Sequence, residues 1–309
     1  MLNALHWGKG AARVIGLHRA VHCTDRSQGW VTTMALLLAL GSGLSFGAAD
    51  FAGGLAAKRS HAVSVTLVSQ AVGVVVLVLL MGALPGRPSA AAFTTGALAG
   101  VAGALSLVAY LRALALGPMG VVSPLASVAG VMVPVAAGVA LGERPTLLAA
   151  VGIVLGVVAV TIVAAGRRVE RRAALSTGPL LALLGGAGFG VFFVLLDRTP
   201  DGSGLWPFVG ARASSLVMLG LIVAVGRAGL PSREAMPLVA LSGGLDMLAN
   251  VMFLLAARTG LLTIAALLTS MYPIVVVVLA RHLLAERLGR PQQLAVGLSL
   301  AAVGVITVA

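Results

Sequence analysis

Residues 37–47 read LLALGSGLSFG, and residues 180–190 read LLALLGGAGFG. Leu37-Leu38-Ala39-Leu40 recurs as Leu180-Leu181-Ala182-Leu183, and Gly43, Phe46 and Gly47 recur as Gly186, Phe189 and Gly190, all at an offset of 143. The same offset holds downstream, where Gly117, Leu125, Ser127, Leu141, Glu143 and Arg144 have counterparts in Gly260, Leu268, Ser270, Leu284, Glu286 and Arg287. The closing stretch, Val151-Gly152-Ile153-Val154-Leu155, matches Val296-Gly297-Leu298-Ser299-Leu300 at an offset of 145. Isolated identities mean little in a chain rich in Ala, Leu and Val. A constant offset that carries a Glu-Arg pair marks a duplicated unit.

Composition says what kind of unit was duplicated. The chain has 309 residues, 59% hydrophobic and 10% charged, with a mean hydropathy of +1.07. A soluble domain is about 45–50% apolar and about 25% charged, so this chain lacks the polar surface that a water-soluble fold needs. The same figures exclude disorder. Continuous apolar runs, rather than alternation, exclude a β-barrel. Forty glycines suit helices that approach closely in lipid. The single cysteine, Cys23, leaves no internal disulfide, and no His/Cys spacing suggests a metal site. The chain has no Walker motif, no HExxH and no Ser/His/Asp set within the apolar runs, so neither an enzyme nor a cofactor is expected.

A membrane helix needs about 20 apolar residues. Runs of that size fall at 30–49, 62–84, 90–111, 119–141 and 147–165, and again at 178–196, 205–225, 236–257, 261–280 and 292–309. The expected fold is an all-α polytopic membrane protein of ten transmembrane helices. A basic N-terminal tail spans 1–29, the first five-helix repeat 30–166, a basic linker with Arg167, Arg168, Arg171 and Arg172 spans 167–177, and the second repeat 178–309. Short connections make consecutive helices antiparallel neighbours. Because five is odd, the second copy enters the membrane from the opposite face. Inverted repeats are a transporter device, able to exchange conformations around a site near the midplane. The tail lacks the apolar core of a signal peptide. The net charge of +12 is scattered over the tail and short loops with few aromatics, which suits anionic headgroups and not nucleic acid.

Polar exceptions within the spans mark the candidate site, because an intramembrane charge costs about 2.5–3.5 kcal/mol on insertion scales. Arg212 lies eight residues into the seventh span, and Asp246 sits mid-way along the eighth with Asn250 one turn on. These three are expected on a central cavity, either meeting substrate or forming a structural Arg–Asp pair. Asp50 shares a helical stripe with Ser42 and Phe46; if the first helix runs on to Lys58, it lies inside the membrane. A carboxyl group is costly to keep charged in low dielectric, which makes Asp50 and Asp246 the proton-coupling candidates. Gln70, Tyr272, Ser127 and Ser270 complete the substrate-contact set. Pro124, Pro134 and Pro273 fall within the fourth helix of each repeat, where a proline removes a backbone bond and packing kinks are expected. Gly43/Gly47 and Gly186/Gly190 are GxxxG pairs, expected at close helix contacts or sliding surfaces. Glu143-Arg144 and Glu286-Arg287 stand at helix ends, suited to orientation and packing.

The run Tyr110-Leu111-Arg112-Ala113-Leu114-Ala115-Leu116-Gly117 through Glu143-Arg144, with its second copy from Phe253 through Gly260 and Pro273 to Glu286-Arg287, resembles the EamA family of the drug/metabolite transporter superfamily. The resemblance covers about residues 31–309, with Arg212 in a position typical of the second half. Two departures make the halves unequal: Gly130 stands opposite Pro273, and Ser69 opposite Arg212. The resemblance implies a ten-helix inner-membrane transporter, often an exporter of amino acids, metabolites or drugs. The expected partners are therefore a small-molecule substrate, the lipid bilayer and protons or other cations, in a monomer or homodimer. Lys and Arg count eight on the tail side and ten on the other, too even for the positive-inside rule, so cytoplasmic termini rest on the resemblance. Two alternatives share the features read here: a non-transporting membrane scaffold or regulator, and a flippase of a lipid-linked substrate.

Overall fold

The computed structural model describes residues 26–82, 86–140, 146–166, 177–200, 202–258 and 267–308. Ten helices, and no strand, occur among these residues. They are α1 (Arg26–Arg59), α2 (Ala62–Met81), α3 (Ala90–Leu116), α4 (Met119–Ala140), α5 (Leu147–Gly166), α6 (Thr177–Asp197), α7 (Trp206–Gly226), α8 (Met236–Arg258), α9 (Tyr272–Leu283) and α10 (Arg290–Val308). Eight are long and apolar enough to cross a membrane; Leu147–Ile162 within α5, and Leu267–Leu283 containing α9, are apolar but shorter. Residues 1–25, most of the 167–177 linker, Glu143-Arg144 and Gly260 lie outside the described residues.

The first helix is longer than its charge-free run. It continues unbroken through Asp50 to Lys58 and Arg59, which close its last turn, where cations suit the negative end of the helix dipole. Asp50 is thereby held inside a helix.

Most helices carry apolar residues all round, so their facing is set by residue size. Leu37, Leu40 and Leu44 of α1, Val75, Val78 and Leu79 of α2 and Leu98 and Leu105 of α3 are exposed, the surface that lipid covers. Ala and Gly face inward: Ala39, Ala56, Ala92, Ala99, Ala104, Ala113, Ala182, Ala249 and Ala256 are essentially inaccessible. Without a hydrophobic drive in lipid, such small residues let backbones touch and dispersion and weak polar contacts act.

The two halves interleave. Helix α1 packs along α8, and its counterpart α6 packs along α3. The GxxxG pairs seat the first helix of each half on the fourth helix of the other. A Cβ on Gly43 would lie 2.8 Å from the Leu268 carbonyl, and one on Gly47 2.7 Å from that of Tyr272. In the other half, a Cβ on Gly186 would run into the Ala126 carbonyl, and one on Gly190 would meet Gly130 and Val133. Gly100 likewise abuts Ala211, and its counterpart Gly243 abuts Ser69.

The prolines divide the halves. Pro124 and Pro134 sit within a continuous α4, whereas Pro273 occupies the first turn of α9, after a break at Met271. A proline there removes no intrahelical bond, since that N–H has no helical partner. Only in the second half does the fourth helix restart at its proline.

Candidate functional site

Helix α7 packs on α3 and α2 and brings Arg212 to the join between the halves, facing Asp246 of α8. The guanidinium is buried, and its Nη2 donates to Asp246 Oδ2 at 2.6 Å and approaches Met247 Sδ at 3.5 Å. Room for it comes from Gly73 on α2, where a Cβ would lie 3.3 Å from the guanidinium carbon. Burying an ion costs several kcal/mol unless a partner and hydrogen bonds offset it; the short charge-assisted contact supplies that partner. One turn along α8, Asn250 Nδ2 donates to the Asp246 carbonyl at 2.8 Å, which holds both residues on one face.

Arg212, Asp246 and Asn250 line a cavity of about 70 Å³ together with Gln70 and Ser215. Ser215 is used up locally, donating to the carbonyls of Gly100 and Ala211. Gln70 is different. It is 6% exposed, and its Oε1 has no hydrogen-bond donor. The rest of the wall is apolar: Phe46 from α1, Phe189, Phe192 and Phe193 from α6 and Phe208 from α7, with Leu107 and small residues of α3 and α7 between them.

Asp50 lies one turn beyond Phe46 on α1, outside the cavity wall. Its Oδ2 accepts the Tyr110 hydroxyl at 3.0 Å, and it lies within electrostatic range of Asp246. Tyr272 stands beside Ser127 and leans on Phe46, with ring centroids 6.5 Å apart. Ser270 turns back to the Leu267 carbonyl at 2.8 Å. Of the residues singled out in the sequence, Arg212, Asp246, Asn250 and Gln70 therefore meet on one cavity. Asp50 and Tyr272 flank it, while Ser127 and Ser270 lie off its wall.

Sequence reasoning missed three features. The Tyr110–Asp50 contact joins residues sixty apart; a usable signal was that the chain has only two tyrosines, both near Asp50. The phenylalanine wall had no linear pattern. The third is the partner of Glu286, a residue expected to serve orientation and packing: its two carboxylate oxygens accept the backbone N–H groups of Met119 and Gly120 at 3.0 and 3.1 Å. That contact ties the turn after α9 in the second half to the start of α4 in the first. Glu286 is aimed by a reversal at the end of α9, where its N–H bonds the Ala280 carbonyl and Ala285 adopts φ 51°. The counterpart of Ala285 in the first half is Gly142, the residue type suited to that conformation.

The profile of the EamA-like transporter family matches residues 33–165 and again residues 176–308. No curated protein matches the chain. A solved structure described only as "Crystal structure of protein" is similar in fold, with a TM-score of 0.55 at 15% identity over 92% of this chain and 98% of that one. The two matched stretches cover nearly the whole chain and meet at its basic linker, the same duplication that the 143-residue offset marks. The chain belongs to the EamA-like transporter family, and so to the membrane transporters of the drug/metabolite transporter superfamily.

Proposed function

We propose that the protein is a secondary transporter that exports small metabolites, amino acids or drugs across the cytoplasmic membrane by alternating access between its two inverted halves, with both termini in the cytoplasm. The observation that carries this reading is the Arg212–Asp246 pair, its guanidinium buried, on a cavity at the join of the halves. A static scaffold gains nothing from placing an ion pair and an unpartnered amide oxygen on an internal cavity. A transporter needs such groups, because they give a polar solute a partner where water is absent. At about 70 Å³ the cavity is smaller than the roughly 300–1,000 Å³ that encloses a drug-sized ligand. Loading therefore requires the helices around it to part, as rocking of one half against the other provides. Asp50, half-buried against Tyr110 and close to Asp246, is the residue we assign to coupling with protons.

Reconstitution in liposomes tests the reading. Candidate amino acids, amines and drugs are expected to move in protein-containing vesicles, faster under a pH gradient, with movement abolished in Asp246→Asn and Arg212→Ala. Vesicles that carry no solute under any gradient, or variants that leave cellular function intact, would count for the scaffold reading. Movement that ignores both pH and membrane potential removes the coupling role of Asp50.

A further inference from the structure

Tyr110 has two acceptors near its hydroxyl. The ring itself is fixed: it is 1% exposed, lies edge-on to Phe189 with centroids 5.8 Å apart, and backs onto Gly185 of α6, where a Cβ would lie 3.0 Å from that of Tyr110. Only the O–H can turn. It donates to Asp50 Oδ2 of α1 at 3.0 Å, and Ser123 of α4 lies beside it. Ser123 Oγ is wholly buried and has no hydrogen-bond partner, a state that costs free energy. Other buried hydroxyls return to the carbonyl four residues back, as Thr66 does to Ala62 and Ser106 to Ala102. Ser123 makes no such bond to Met119.

We propose that Tyr110 and Ser123 are positioning residues that carry the protonation state of Asp50 from α1 to α4. The inference rests on the reading of Asp50 as the proton-coupling carboxyl and deepens it. While Asp50 is ionised, the Tyr110 O–H donates to it in a charge-assisted bond, about twice as strong as a neutral one. When Asp50 takes up a proton from water, that assistance is lost, and the new acid O–H donates to the Tyr110 oxygen. The Tyr110 O–H then turns to Ser123 Oγ and gives it the partner it lacks. Asp50 gains one proton and Tyr110 loses none; only the direction of the hydrogen bonds reverses. Ser123 stands one turn along α4 from Met119, whose N–H is held by Glu286, so the reversal ends on the helix that ties the halves together.

The other helices packed against α1 offer Asp50 no competing donor. Asp246 of α8 faces it but is held by Arg212, Tyr272 of α9 stands beside Ser127, and α2 has no titratable side chain. Lys58 and Arg59 of α1, Arg112 of α3, Arg258 of α8 and Arg281 and His282 of α9 are exposed.

Infrared difference spectra of the full-length protein in lipid nanodiscs, taken between acid and alkaline buffer, test the relay. A protonated-carboxyl band that Asp50→Asn abolishes is expected to rise together with a shift in a tyrosine C–O band. The chain has two tyrosines, so loss of that shift in Tyr110→Phe assigns it. Ser123→Ala removes a hydroxyl that already lacks a partner, so it is expected to fold as wild type while losing most of the tyrosine shift. In proteoliposomes, Tyr110→Phe is expected to cut the stimulation of transport by a pH gradient about tenfold, the factor that one hydrogen bond to a charged group is worth. A tyrosine band that ignores pH, or a full wild-type shift in Ser123→Ala, overturns the proposal. Its failure is distinguishable from failure of the coupling reading. If Asp50→Asn keeps the pH dependence of transport, the coupling role falls. If Asp50→Asn loses it while Tyr110→Phe and Ser123→Ala keep it in full, coupling stands and the relay falls. Vesicles that move no solute remove transport and leave the infrared result to decide the relay.

Discussion

Replacing Glu286 with alanine removes the two hydrogen bonds that join the halves at the start of α4. Met119 is fully buried and Gly120 is buried beside it. The next amides, Val121 and Val122, already bond to the Pro118 carbonyl, so the first two N–H groups depend on Glu286. Hydrogen bonds to a charged partner contribute about 1.5–3 kcal/mol each, and a carboxylate at a helix N-terminus adds about 0.3–1 kcal/mol. Glu286 itself is half-buried, so solvent already screens part of this. The net expectation is about 2–4 kcal/mol for Glu286→Ala, and about half for Glu286→Gln, which keeps one acceptor oxygen. Equilibrium unfolding in mixed detergent, followed by helical circular dichroism, measures the difference. A shift under about 0.5 kcal/mol for Glu286→Ala, the size of an ordinary surface change, refutes the argument. The proposed alternating access adds a second readout. Opening the face where α4 starts and α9 ends must break this contact, so losing about 2 kcal/mol favours the open state by about 30-fold. In a Cys23→Ser background, a cysteine placed at Leu288, which packs near Gly120, is expected to label faster when Glu286 is Gln. An unchanged labelling rate would show the contact to be a passive brace.

Arg212→Ala leaves Asp246 without its counter-ion and, because that carboxylate is partly exposed, is expected to destabilise the protein by about 1–3 kcal/mol, less than a fully buried pair would; Arg212→Met with Asp246→Leu restores thermal stability but not ligand binding. Gly186→Ala drives a methyl into the Ala126 carbonyl and is expected to lower the melting temperature sharply. Gly41→Ala, whose Cβ meets only the flexible end of Met252, costs far less, and equal melting temperatures would contradict the packing argument. Ala285→Gly relieves a left-handed backbone at φ 51° and is expected to stabilise by about 0.5–1 kcal/mol, read as a higher unfolding midpoint.

The organisation of this chain was legible because it rests on local properties. Run length and composition report the solvent, and the offset of 143 reports duplication without any knowledge of contacts. The Gly43/Gly47 and Gly186/Gly190 pairs showed where backbones meet, since a missing side chain in lipid-facing sequence has few other uses. Arg212, Asp246, Asn250 and Gln70 stood out because polarity is rare in their surroundings. What these residues touch was not legible. A helix that is apolar all round carries no stripe to say which face turns inward, so Ser127 and Ser270 looked as well placed as Gln70.

The sequence alone determined ten apolar segments in two repeats and the short roll of polar residues within them, because run length and polarity follow from the cost of placing charge and backbone in hydrocarbon. Only the tertiary structure decided that Arg212 is matched with Asp246, that Asp50 meets Tyr110, that five phenylalanines share one cavity, and that Glu286 caps a helix in the other half. Those pairings join residues 34 to 167 positions apart. A buried polar group takes whichever partner the packing of small residues brings within about 3 Å, and no linear spacing encodes that.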